Sequence, residues 1–250
     1  AMKLLSKLYR LWYGGFRRNV FRIIDRDGLK YLLNYRNSVD RKIITEGGYE
    51  KEQLDYFLNL INKAGCTIFF DVGANIGLYS LNVSSLQSIE KIIAFEPVSS
   101  NVCQLSANLL LNNLHNFVEV KIIGLSDESG EVAFMENTGN STGRSRIKAT
   151  DFSTNVQSNK RKFKETKIHV ARLDNIIEGV MGSFIAIKID IEGHELQALH
   201  GMRDMLCNNK CILQVESYNP EPIISFLESL GYPLINKIGE DGYYCNFLNQ

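Results

Sequence analysis

A chain of 250 residues with 44% apolar and 22% charged side chains has enough apolar mass for one α/β domain with appendages, or for two small domains. Its 28 basic and 28 acidic side chains balance, which excludes an overall attraction to nucleic acid. The five cysteines are an odd number, and no secretory leader is recognisable, so we expect reduced thiols in a cytoplasmic protein. No apolar run reaches the roughly 18 residues of a transmembrane helix.

The N-terminus carries a local excess of positive charge, because residues 1–26 hold seven basic side chains and one acid. Over residues 2–24, leucines share one helical face and basic side chains another, with aromatic residues at the boundary. The pattern predicts an amphipathic helix within an N-terminal helical extension over residues 1–48. The helix either contacts an anionic membrane surface as a peripheral anchor at the inner face of the membrane, or packs on the domain or on another subunit of a homo-oligomer.

From residue 49 onward, short apolar runs rich in β-branched residues alternate with helical patterns. The predicted helices cover 49–63, 76–86, 98–111, 195–206 and 221–230. The predicted strands cover 67–72, 91–95, 117–123, 131–135, 166–173, 183–189 and 211–216, with a closing hairpin over 232–238 and 243–248. Such alternation is typical of a parallel sheet with helices on both faces, whose ligands bind at the carboxyl ends of the strands.

One polar segment interrupts this alternation. Residues 137–164 are rich in Ser, Thr, Asn and Gly and lie between two predicted strands. A long polar insertion in such a position predicts a lid or a substrate loop, with disorder as the alternative.

The first motif with chemical content follows the strand 67–72. Asp71 and Gly73 stand at the strand's tip, and a glycine-rich turn to Gly77 leads into a helix, where the backbone can approach a ligand closely. The G-x-x-x-G spacing departs from the G-x-G-x-x-G of dinucleotide sites, and an acid in the turn suits an ammonium group better than a phosphate. The next strand ends at Glu96, which can accept hydrogen bonds from two ribose hydroxyls. Together these features predict a site for a nucleoside that carries an amino-acid end.

Four motifs in this order resemble the FkbM family of S-adenosylmethionine-dependent methyltransferases. They are DVGANIG (71–77), FEP (95–97), GLSDESGEV (124–132) and KIDIEGHE (188–195), and the resemblance runs over roughly residues 70–235. It implies a Rossmann-like class I α/β fold with a seven-stranded, mostly parallel sheet and an antiparallel edge hairpin, in a methyltransferase domain over 49–250. It also implies O-methyl transfer from S-adenosylmethionine, with S-adenosylhomocysteine as product.

The resemblance assigns residues to the donor. The turn Asp71–Gly77 would hold the methionine end, Glu96 the ribose, and Ser126 with Asp127 the adenine edge. Asp190 would stand beside the sulfonium and the acceptor. The expected donor-binding set is Asp71, Gly73, Ala74, Asn75, Gly77, Tyr79, Ser80, Glu96, Pro97, Ser126, Asp127 and Asp190.

The transfer step needs an acceptor oxygen held near the methyl group and gains from a base that removes its proton. We expect Asp190, His194 and Glu216 to be catalytic, with His194 as a neutral-pH base. His194 stands where the family commonly has a small or aromatic residue, and the alternatives are a solvent-exposed His194 and an Asp190 that caps the next helix. We expect no metal, with a divalent cation bridging Asp190 and Glu216 as the alternative.

The expected acceptor is a hydroxyl on a sugar of a glycan or glycolipid. The alternatives are a small-molecule (natural product) acceptor and a non-catalytic protein that only binds the donor. Base-directed amino-methyltransferases are excluded because they need a Pro-Pro-aromatic segment, and none of the four prolines neighbours another.

Overall fold

A computed structural model describes residues 21–137, 146–147 and 163–248. The strands are β1 (Phe21–Arg26), β2 (Leu29–Asn34), β3 (Ile68–Val72), β4 (Lys91–Phe95), β5 (Val118–Lys121), β6 (Gly124–Leu125), β7 (Gly130–Asn137), β8 (Arg146–Ile147), β9 (Phe163–Ala171), β10 (Phe184–Ile189), β11 (Lys210–Glu216), β12 (Leu234–Ile238) and β13 (Asp241–Cys245). The helices are α1 (Ser38–Glu46), α2 (Lys51–Ala64), α3 (Leu78–Val83), α4 (Ser99–Leu111), α5 (Leu173–Ile176), α6 (Glu195–Gly201), α7 (Arg203–Asn208) and α8 (Glu221–Ser229).

The main sheet has seven strands in the order β12-β13-β11-β10-β3-β4-β5. The five strands β3, β4, β5, β10 and β11 are parallel, whereas β13 runs antiparallel to both of its neighbours. This confirms the expected seven-stranded, mostly parallel sheet with an edge hairpin. The chain winds outward in opposite directions from β3 and β10, so a crevice opens at the carboxyl ends of these two strands.

Both faces of the sheet are covered, as the near-continuous apolar strands predict. Neighbouring residues of one strand enter opposite cores, with Phe69 on the face that packs against α2, α3 and α4 and Phe70 on the face that packs against α6, α7 and α8. The site residues lie at the tips of the strands between these two cores.

A second sheet of four strands, in the order β6-β9-β7-β8, lies beyond the main one. The predicted strands 131–135 and 166–173 are its antiparallel pair β7 and β9, which extend further toward each other than expected. The predicted loop 137–164 is therefore wrong at its two ends, where Asn137, Phe163 and Lys164 belong to strands, and at Arg146–Ile147, which form β8. Residues 138–145 and 148–162 lie outside the described residues, and the lid stays a prediction.

The N-terminal part differs from the expected helical extension. Strands β1 and β2 form an antiparallel hairpin whose turn, Asp27-Gly28, has positive φ at both residues, as a tight two-residue turn requires. The helix expected over 2–24 is therefore wrong for residues 21–24, and residues 1–20 lie outside the described part of the chain. Because Tyr31 and Leu33 are buried in the same core as Phe69, residue 48 does not separate an extension from the domain.

No helix within the described ranges combines the length and the apolar character needed to cross a membrane.

Candidate active site at the carboxyl ends of the strands

Two adjoining cavities open at the tips of the parallel strands. The larger, of about 660 Å³ with its open mouth included, lies beside the tips of β4 and β5 and is covered by the second sheet. The smaller, of about 360 Å³, lies beside the start of α2 and α3. Gly73, Asn75 and Asp190 line both cavities, so the two meet at the tips of β3 and β10. Their sizes are typical of small-molecule sites.

The turn after β3 depends on its glycines. Gly73 and Gly77 have φ of +82° and +86°, and Asn75 between them has φ of +50°. A Cβ at Gly73 would overlap the carbonyl oxygen of Asp190, and one at Gly77 would overlap the Leu105 side chain. The absence of side chains therefore lets the β3 turn lie against the β10 tip, where both cavities meet.

Asp71 lies fully buried beneath this turn. Its Oδ2 accepts hydrogen bonds from the Ser80 backbone N–H at 2.9 Å and from the Ser80 hydroxyl at 2.5 Å. Burial raises the pKa of Asp71 to about 6. Asp71 lines the smaller cavity together with Ala74 and Tyr79, whereas Ser80 lines neither cavity. Ser80 thus fixes the carboxylate and the start of α3, and does not face a ligand itself.

Glu96, at the tip of β4, lines the larger cavity together with Pro97. Its Oε2 accepts a hydrogen bond from the Asn75 N–H and its Oε1 accepts one from the Val98 N–H, both at 2.9 Å. Burial raises the pKa of Glu96 to about 7. The carboxylate therefore ties the glycine turn to the β4 tip while it faces the cavity.

His194 belongs to the larger cavity. Its Nε2 lies 2.9 Å from the Ser126 hydroxyl, which also donates to Asp127 Oδ1 at 3.0 Å. Burial lowers the pKa of His194, and the negative charge of Asp127 opposes that shift only in part. The apolar walls of this cavity come from Phe95, Ile123, Leu125, Phe134, Ile147 and Ile168. Neither Ser126 nor Asp127 lines it, so both reach it only through His194.

The structure places His194 and Glu216, two of the three expected catalytic residues, beside different cavities. His194 lines the larger cavity, whereas Glu216 belongs to a charged cluster beside the smaller one. Asp190 borders both. Glu216 itself lines neither cavity, so Asp190 is the one of the three that lies at the junction.

The charged cluster centres on Lys188, a residue that the sequence analysis did not single out. Its side chain is 2% exposed, and its Nζ lies 3.4 Å from Asp241 Oδ1, 3.8 Å from Asp190 Oδ2 and 3.9 Å from Glu216 Oε2. Burial alone would lower the pKa of Lys188, but the surrounding negative charges, with Asp190 first, outweigh burial and raise it. Since Lys188 lies near the end of β10 and Asp190 directly follows that strand, two residues on, the period-two rule could have paired them.

Glu50 also belongs to this charged cluster, although it lies outside all four sequence motifs. One carboxylate oxygen from each of Glu50, Asp190 and Glu216 lies within 4.8 Å of the other two, a spacing that could hold a cation. Tyr79 donates a hydrogen bond to Glu50 Oε2 at 3.4 Å. Burial raises the pKa of Glu50 and of Glu216, and the negative charge of Asp190 raises both further. The cluster therefore has a surplus of negative charge around a single buried lysine.

The loop after Asp190 is held by Glu195. Glu195 Oε1 accepts hydrogen bonds from the Gly193 N–H at 2.8 Å and from the Ile191 N–H at 3.3 Å. The N-cap position of α6 is occupied by His194, without a side-chain cap bond, so Asp190 does not cap that helix as the alternative reading supposed. Asp190 is thus left at the junction of the two cavities.

A family model described as the methyltransferase FkbM domain matches residues 71–234, which is more than half of the chain. The chain belongs to the FkbM methyltransferase family. The matched range begins at Asp71 and contains the glycine turn, Glu96, Lys188, Asp190 and Glu216, whereas Glu50 precedes it.

Relatives of this FkbM methyltransferase include methyltransferase sdnD of Sordaria araneosa, 26% identical over 232 residues that make up 85% of this chain and 87% of the relative. Methyltransferase 1 of Beauveria bassiana is 26% identical over 144 residues, or 54% of this chain and 57% of the relative. The AMB antimetabolite synthetase AmbE of Pseudomonas aeruginosa is 43% identical over 75 residues, which are 30% of this chain and 3% of that protein.

The crystal structure of methyltransferase FkbM from Methylobacillus flagellatus matches with a TM-score of 0.51 at 20% identity. The match covers 72% of this chain and 44% of that one. The Rossmann-like fold is therefore shared, and this chain spans less than half of that structure's length.

Proposed function

We propose that this FkbM methyltransferase transfers a methyl group from S-adenosylmethionine to a hydroxyl on a sugar of a glycan or glycolipid. The observation that carries the proposal is the pair of joined cavities, with a buried carboxylate facing the larger one and a charged cluster beside the smaller one. The apolar walls of the larger cavity suit an adenine ring, and Glu96 suits two ribose hydroxyls. The smaller cavity suits the methionine end.

S-adenosylmethionine, when bound, supplies a methyl group that is already activated on a sulfonium. The chain's task is therefore to hold the acceptor oxygen in line and to manage its proton. Asp190 is the acidic residue that lines both cavities, where the two halves of the donor would join. Glu216 lines neither cavity and burial raises its pKa to about 9, so it is largely protonated at neutral pH, and Asp190 is the group that would accept the hydroxyl proton.

Two features support a sugar acceptor. The polar segment 137–164 adjoins the second sheet, which covers the larger cavity, and hydroxyl-rich substrates are bound by polar side chains. The basic N-terminus would bring the enzyme to an anionic membrane, where lipid-linked glycans are assembled. We propose no nucleic-acid partner. The similarity to AmbE, an antimetabolite synthetase, favours a small-molecule acceptor as the second candidate.

Transfer of a labelled methyl group tests the acceptor class. Extracts of surface glycans and of small molecules are incubated separately with the protein and methyl-labelled S-adenosylmethionine, and the products are analysed by mass spectrometry. We expect label on a glycan hydroxyl with the wild type and at least about 100-fold less with Asp190→Asn, the scale of a lost acid–base or positioning group. Label confined to the small-molecule fraction would support the second candidate. A protein that binds the donor and labels neither would be a binding protein.

A further inference from the structure

Glu50 stands in the smaller cavity although it precedes the range that the FkbM domain model matches. It is the N-cap residue of α2, with φ of +49° and ψ of +40°. A glutamate in this left-handed region is strained, and such strain persists where the surrounding structure fixes the residue, often at a ligand site. The backbone there turns so that α2 begins beside the tips of β3 and β10.

The smaller cavity presents both signs of charge. Lys188 lines it together with Glu50, Asp71 and Asp190. A cation and several carboxylates around one small space complement a zwitterion, the form in which an α-amino acid exists at neutral pH. The carboxylates outnumber the lysine; burial and, after it, the negative charge of Asp190 raise the pKa of Glu50, so an added ammonium group would offset that charge.

The position of the cavity defines which part of a ligand reaches it. It meets the larger cavity at Gly73, Asn75 and Asp190, which line both cavities, and the missing side chain of Gly73 lets the β3 turn lie against the β10 tip there. A ligand whose nucleoside lies against Glu96 therefore extends past Gly73 into the smaller cavity. If the nucleoside is that of the proposed donor, its extension is the amino-acid end.

We propose that Glu50 binds the α-ammonium group of the donor's methionine end, so that a segment outside the family-matched range completes the donor site. This inference rests on the proposed function, since it takes the adenosine half of the donor to lie in the larger cavity. It assigns Glu50 to specificity for the amino-acid end, and leaves the acceptor's proton to Asp190.

Calorimetry with two ligands tests the proposal. S-adenosylhomocysteine carries the amino-acid end, whereas 5′-deoxy-5′-methylthioadenosine has the same adenosine without it. Glu50→Gln keeps the side-chain volume and removes the charge, and we expect about 10- to 100-fold weaker binding of S-adenosylhomocysteine, the scale of a lost hydrogen bond to a charged group. Binding of methylthioadenosine should change less than about twofold. Glu52→Gln, an exposed glutamate in the first turn of α2, is the matched control and should bind both ligands as the wild type does.

Other results would overturn the proposal in recognisable ways. Equal losses for both ligands would assign Glu50 a structural role, and no loss for either would leave it without a role in donor binding. Wild-type binding of S-adenosylhomocysteine that needs added Mg²⁺ and disappears with EDTA would assign Glu50, Asp190 and Glu216 to a cation instead. A wild-type protein that binds methylthioadenosine but gains nothing from the amino-acid end would contradict this inference alone. Failure to bind either ligand would contradict the proposed function as well.

Discussion

Glu96 combines two tasks in one side chain. Its oxygens accept hydrogen bonds from the backbone of the glycine turn and of the α4 entry, while the carboxylate faces the larger cavity. An ionised carboxylate in this position is an acceptor for hydroxyl groups as well. Since burial raises its pKa to about 7, its charge changes within the physiological range.

Replacement of Glu96 should weaken donor binding. Glu96→Ala removes the acceptor for the ribose hydroxyls, so we expect the dissociation constant of S-adenosylhomocysteine to rise by about 10- to 100-fold, measured by calorimetry. Glu90→Ala is the matched control, because Glu90 is exposed just before the opposite end of the same strand. An unchanged affinity in Glu96→Ala would remove the ribose assignment.

The raised pKa of Glu96 also predicts a pH dependence. Above pH 7 the carboxylate is ionised and accepts from the ribose hydroxyls, whereas below pH 7 it is increasingly protonated and loses acceptor capacity. Affinity for S-adenosylhomocysteine should therefore fall as the pH is lowered from about 8 to 6, and Glu96→Gln should flatten that dependence. Asp71, whose pKa is raised to about 6, titrates at the lower end of the range. A dependence that persists unchanged in Glu96→Gln would assign it to another group.

Among the elements, α4 connects the N-terminal hairpin to the glycine turn. Asn108 is completely buried, and its Oδ1 accepts a hydrogen bond from the Leu32 N–H of β2 at 2.6 Å. Its Nδ2 donates to the carbonyl oxygen of Ile76, in the glycine turn, at 2.8 Å. Gln104 adds a bond to the Leu32 carbonyl from the preceding helical turn. The hairpin is thus attached to the site through one face of α4.

Loss of the Asn108 amide should cost stability. Asn108→Ala leaves the Leu32 N–H and the Ile76 carbonyl without this partner, and each such group costs about 1–3 kcal/mol. The free energy of unfolding should therefore fall by roughly 2–6 kcal/mol in urea denaturation. Asn112→Ala is the control one helical turn away. Asn112 makes the same two kinds of bond to Lys30, but at a solvent-exposed position where water can replace them, so the loss should stay below about 1 kcal/mol. Equal losses in the two variants would contradict this account.

For the molecule as a whole, the N-terminal part carries the features on which the proposed membrane or subunit contact rests. Phe21 and Ile23, on one face of β1, are 49% and 57% exposed. They directly follow a segment with basic residues at Lys3, Lys7, Arg10, Arg17 and Arg18. Apolar side chains beside positive charges suit either an anionic membrane or a second subunit.

Vesicle co-sedimentation distinguishes the two partners. Each basic side chain near an anionic surface contributes about 1 kcal/mol, so the intact protein should pellet with anionic vesicles at low salt and be released at high salt. Deletion of residues 2–20 should abolish pelleting, and vesicles of neutral lipid serve as the control. If the intact protein stays in the supernatant and the deletion changes its oligomeric mass, the segment is a subunit contact.

The sequence alone was sufficient for the main sheet and for the part of the candidate site formed by the glycine turn and Glu96. Strand and helix periodicities are local, so the alternation predicted β3, β4, β10 and β11 within two residues at either end. The glycine turn and Glu96 were also predictable, because a tight turn and a strand tip are defined by adjacent residues. The N-terminal hairpin was not predicted, although Asp27-Gly28 is a strong turn signal. The pattern of basic residues and leucines over residues 2–24 overlaps β1 and predicts a helix there instead.

The other half of the site was decided by tertiary structure. Glu50 reaches Asp190 and Glu216 only because α2 begins beside the sheet tips, and no local pattern links residues so far apart along the chain. His194 and Asp190 are four residues apart, yet the loop held by Glu195 carries His194 to Ser126. In the sequence, Lys188 is one residue of a predicted buried strand. Only the strand register shows that it lies beside Asp71 and Gln214. Strand pairing and burial decide which charged side chains interact. Both depend on the whole fold and not on the neighbouring sequence.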